Sequence, residues 1–175
     1  MSVRVDDRSA IMLGRDSMYP PHVAFYLAHE LGHISLGHLL EDPVVVDFDT
    51  EQLDLEGDDQ QEAAADRFAL ELLTGFPEPR VLPKWAGRYT AAELARVARQ
   101  AAPEFAIEPG TLALCFGFST GNWATANAAI RRIYDAPHPV WIEVNRVALG
   151  QLAFDAISDD AQAYLTAVLG HTGTL

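Results

Sequence analysis

Apolar positions along the chain recur mostly with a helical period, and short proline-marked breaks interrupt them. Ser9–Gly14 (SAIMLG) is a short apolar run ending in glycine and predicts a strand. Tyr19-Pro20-Pro21 breaks the chain. Proline suits a first helical turn, so a helix is expected from near Pro21. Between Val23 and Leu40 apolar residues fall at 23, 27, 31, 34 and 36, roughly helical spacing, and Pro43 stops the pattern. Val44–Phe48 offers a second short strand, and Gly57-Asp58-Asp59 reads as loop. Gln61–Thr74 (QEAAADRFALELLT) has no Gly or Pro and predicts a helix that ends at Gly75. Phe76–Pro83, with three prolines, predicts a connector. Thr90–Ala101 predicts another helix, with Thr90 as N-cap and Glu93 completing a capping box. Pro109-Gly110 reads as a turn before the apolar run Thr111–Phe116. Asn122–Tyr134 and Asp159–Leu169 predict helices, with a proline-rich break at Ala136–Pro139. No internal repeat or low-complexity tract occurs.

Composition narrows the function classes. A chain of 175 residues, 49% apolar, suits one domain or one domain with an extension. Its formal net charge is −13, and Glu41–Glu62 holds ten acids without Lys or Arg. That disfavours unaided binding to nucleic acid or to an anionic membrane surface. The acidic run reads as a solvated loop, or as a fence that favours basic substrate segments. No run of 18 uncharged apolar residues occurs, so no membrane span is expected. The N-terminus lacks the basic and long apolar regions of a signal peptide, and a cytoplasmic protein is the expectation. Cys115, the single cysteine, has no internal partner and reads as a small core residue.

Candidate chemistry sits in Phe25–Glu41, FYLAHELGHISLGHLLE. His29 and His33 are four apart, which on a helix puts both imidazoles on one face, within reach of one ion. Glu30 is displaced to the side, where it is better placed to bond a water than to ligate. This is the H-E-x-x-H arrangement of zinc metalloproteases, although five-residue matches also arise by chance. Two histidines and a glutamate on an otherwise apolar helix need a reason. His38 lies five residues beyond His33, about 140° round a continuous helix, and is expected to face elsewhere, on the last-turn carbonyls. Glu62 opens the second strong helix and is the candidate third ligand. Asp66 follows four residues later on the same face and is placed to bond the far nitrogen of a ligand histidine. Alone, Glu62 would read as a first-turn acid complementing the helix dipole.

With both pieces placed, AHELGHISLGH (Ala28–His38) and EAAADRFALELL (Glu62–Leu73) resemble the ImmA/IrrE family of zinc metallopeptidases. The family pattern joins H-E-x-x-H to a downstream E-x-x-A-[DN]-x-F-A-x-x-L-L, filled here by Glu62, Ala65, Asp66, Phe68, Ala69, Leu72 and Leu73. The resemblance covers most of residues 9–135. It implies an α+β, zincin-like fold, mostly helical with a small β-sheet and a helical C-terminal extension. Residues 1–80 would form the metallopeptidase core, and 81–175 a helical part packed on the same domain. It implies Zn2+ held by His29, His33 and Glu62, Glu30 as catalytic base, and Asp66 behind a ligand. The implied substrate or partner is a protein, a DNA-binding repressor or antitoxin-type regulator. Two features depart from the family: only about eight residues precede the strand, and no proline directly follows Leu72-Leu73. A second oxyanion donor is expected, with His138, Tyr89 and Tyr134 as candidates.

Two other readings compete. Gly117–Gly121 (GFSTG) matches the G-x-S-x-G of serine hydrolases, with Asp155 and His171 as conceivable triad partners, but too little chain follows to build the parallel sheet. An ordinary turn that caps the Asn122 helix accounts for it. The other rival is a non-catalytic zinc-binding toxin or sensor subunit that binds a repressor.

Overall fold

The computed structural model describes residues 1–14, 17–41, 44–45, 60–78 and 89–169. Three short strands and eight α-helices appear among them. Strands β1 (Ser2–Val5) and β2 (Arg8–Ile11) form a hairpin, with Ser2 opposite Ile11 and Val5 opposite Arg8. Its connection is Asp6-Asp7, and Asp6 takes a left-handed φ of 56°, a region aspartate tolerates better than most side chains. Strand β3 (Val44–Val45) pairs antiparallel on the other edge of β1, giving the order β2-β1-β3. The predicted 9–14 strand is thus β2, shifted toward the N-terminus. β1 went unseen because a four-residue S-V-R-V alternation carries little signal. The rest of the 44–48 run, the Gly57–Asp59 loop, the connector beyond residue 78 and the expected 80/81 boundary lie outside the described residues.

Helix α1 (Pro20–Ser35) starts on two prolines, which remove N–H groups that a first turn leaves unpaired anyway. It does not run to Leu40. Leu36 closes it, Gly37 takes φ 83°, and a four-residue helix α2 (His38–Glu41) sets off in a new direction. Helix α3 (Gln60–Thr74) ends at Gly75, φ 79°, as the sequence predicts. Helix α4 (Ala91–Phe105) has the predicted capping box, with the Thr90 hydroxyl accepting from Glu93 N–H and Glu93 accepting from Thr90 N–H. It runs four residues further than predicted, to a left-handed Ala106.

The chief correction concerns residues 109–120. Pro109-Gly110 is not a turn but the first turn of helix α5 (Pro109–Thr120), capped by the Glu108 carboxylate, which accepts from Gly110 and Thr111 N–H at 2.9 and 2.7 Å. Every residue from Gly110 to Gly117 is buried, so α5 is a central helix, apolar on all sides. Helix α6 (Trp123–Ile133) begins at its Asn122 cap and returns along it. Leu94, Ala98, Leu112, Ala113, Ala129 and Ile130, at 0% exposure, form the middle of a core that Phe25, Ala28, Ala69 and Leu70 join from α1 and α3. Cys115 belongs to this core, and burial pushes its thiol up to about 12. Helix α7 (Val140–Gln151), which the sequence reading missed, and α8 (Asp159–Leu169) contribute no buried residue. Among the described residues no helix is long and apolar enough to cross a membrane.

Candidate metal centre

Helices α1 and α3 cross at a glycine. A Cβ on Gly32 would stand 3.1 Å from Ala65 Cα and 3.2 Å from its carbonyl oxygen, so only glycine allows so close an approach without a shift. Ala65 and Ala69, both at 0% exposure, keep the facing side of α3 equally thin. This closeness lets a carboxylate from the first turn of α3 reach two imidazoles on α1.

His29 and His33 are buried at 1% and 0% exposure, and Glu62 is about one-third exposed. The two Nε2 atoms lie 3.0 Å apart. Glu62 Oε2 is 3.1 Å from His29 Nε2, and Oε1 is 3.3 Å from His33 Nε2. Ligands set tetrahedrally at zinc–nitrogen distances are about 3.3 Å apart. The three donors are therefore close enough to hold one such ion together.

The donor chemistry fits a cation as well. Asp66, 5% exposed, has Oδ1 2.8 Å from His29 Nδ1 and accepts its proton, which leaves the Nε2 lone pair facing Glu62 and His33. Lone pairs this close repel unless a proton or a metal ion sits among them. With a proton there, burial works against the charge on His29. Hydrogen bonds to Asp66 and Glu62 outweigh it and raise its pKa to about 10. Hydrogen bonds from His29 and then His33 hold the Glu62 carboxyl well below the usual carboxylate range.

His38 is where the sequence reading failed. The 140° estimate assumed an unbroken helix, but the reversal at Gly37 swings His38 back over the site. Its Nδ1 lies 3.0 Å from His33 Nδ1, with ring centroids 5.0 Å apart. If His33 turns its Nε2 lone pair to the centre, its Nδ1–H donates to His38. Each candidate ligand histidine then has a partner on its far nitrogen, Asp66 for one and His38 for the other.

Glu30 is 3% exposed. The Ser2 hydroxyl and the Met1 amino group both donate to its carboxylate. The candidate oxyanion donors are spread apart. Tyr134 donates to Glu108 at 2.5 Å, and burial together with that carboxylate raises its pKa. Tyr89 stacks edge-on to Phe116 at 5.8 Å, and His138 is exposed, its backbone N–H bonded to Met18 O. Gly117–Thr120 is the last turn of α5, with Gly121 left-handed after it and Ser119 Oγ donating to Phe116 O. No strained nucleophile elbow exists there, so the serine-hydrolase reading falls.

A small antiparallel sheet beside a helix with two facing histidines, completed by a carboxylate from a second helix, is an architecture of metallopeptidase type. The chain belongs to the peptidase M78 family: the family model, described as the IrrE N-terminal-like domain, matches residues 2–113, from β1 into α5. No curated protein and no solved structure matches it.

Proposed function

We propose that the protein is a zinc-dependent metalloendopeptidase whose substrate is a regulatory protein, a DNA-binding repressor or antitoxin. The observation that carries this reading is the His29–His33–Glu62 triangle, with donor atoms 3.0–3.3 Å apart. Zinc, when bound, supplies Lewis acidity toward a water and the scissile carbonyl. The remaining work belongs to the chain. Asp66 and His38 fix the tautomers and ring planes of the two histidines. Glu30 takes a proton from the attacking water and returns it to the leaving amine. Ser2, hydrogen-bonded to Glu30, orients that carboxylate. An extended peptide pairs along a free edge of the small sheet.

A second reading has its own support. The Glu30 carboxylate is already engaged by β1, which suits a zinc-binding partner subunit that holds a repressor without cutting it. Metal content is the first test. About one zinc per chain is expected in the wild type and none in His33→Ala or Glu62→Ala. Unchanged metal in the Glu62 variant would break the ligand set. Glu30→Gln then separates the readings, because a peptidase loses cleavage while keeping zinc and partner. A binding subunit shows no cleavage to lose.

A further inference from the structure

We draw no further inference here: the strongest candidate, the buried side-chain cluster in which the Ser2 hydroxyl of β1 donates to the Glu30 carboxylate of α1, belongs to the site already described.

Discussion

The α1–α3 crossing and the α4–α6 bundle are packed by opposite means. The bundle buries Leu94, Leu112, Ala129 and Ile130 and no ionisable group but Cys115, and its helices begin on side-chain caps. The crossing buries two histidines, a glutamate and an aspartate, and it relies on Gly32 and Ala65 for closeness. Burying ionisable groups costs stability even when each is paired. The contrast teaches that the site is held by its neighbour: Phe25, Ala28, Ala69 and Leu70 tie both crossing helices into the bundle core.

Breaking the bundle should have the largest effect on stability and the smallest on metal chemistry. Leu112→Ala is expected to cost about 2–5 kcal/mol. Denaturant unfolding would read this, with zinc stoichiometry of the folded fraction unchanged. A loss of zinc binding in that folded fraction would show that the two regions are not separable. On the other side, Asp66→Asn should weaken zinc binding about 10–100-fold, roughly 1.4–2.7 kcal/mol, and should also lower the unfolding midpoint of the metal-free protein, because Asp66 is the main partner of the charged His29. His38→Ala should fall at the low end of that range, since a neutral ring holds its partner less firmly than a carboxylate. Competition against a chromophoric chelator measures both.

The crossing can be sharpened through its protons. The pKa of His29 is raised to about 10 in the folded chain, so its charge stabilises the metal-free fold below the unfolded value near 6.5. That contribution is lost as pH rises through about 10. Metal binding needs the neutral ring, so zinc uptake at pH 8 should expel about one proton, and the release should fade above pH 10. Calorimetry in buffers of different ionisation enthalpy counts it, and zero release at pH 8 would refute the shared-charge picture. The smallest effect belongs to the bundle. Ala106 sits at φ 54° after α4, and Ala106→Gly should stabilise by about 1 kcal/mol in thermal unfolding.

Legibility followed the same divide. His29, His33, Glu62 and Asp66 were visible because helical spacing is local arithmetic, and the structure brings all four together. Gln60–Thr74, the Thr90 capping box and the Asn122 cap were legible for the same reason. Misreadings arose where a local signal has two meanings. Pro109-Gly110 starts a helix as readily as a turn, and only burial on all sides separates the cases. Val140–Gln151 begins with three apolar residues in a row, V-W-I, whose spacing marks neither a helix nor a strand. Gly37 was in plain view, but how far the chain turns after it depends on tertiary contact, and so His38 was assigned the wrong neighbour.

The glycine crossing has one more consequence, for which ions the protein can tolerate. Gly32 faces the Ala65 backbone, so a side chain there would wedge the two helices apart and widen the gap between the α1 imidazoles and the α3 carboxylate. The width of that gap is what selects among ions, and a wider one favours an ion larger than zinc at the expense of the apolar contacts behind it.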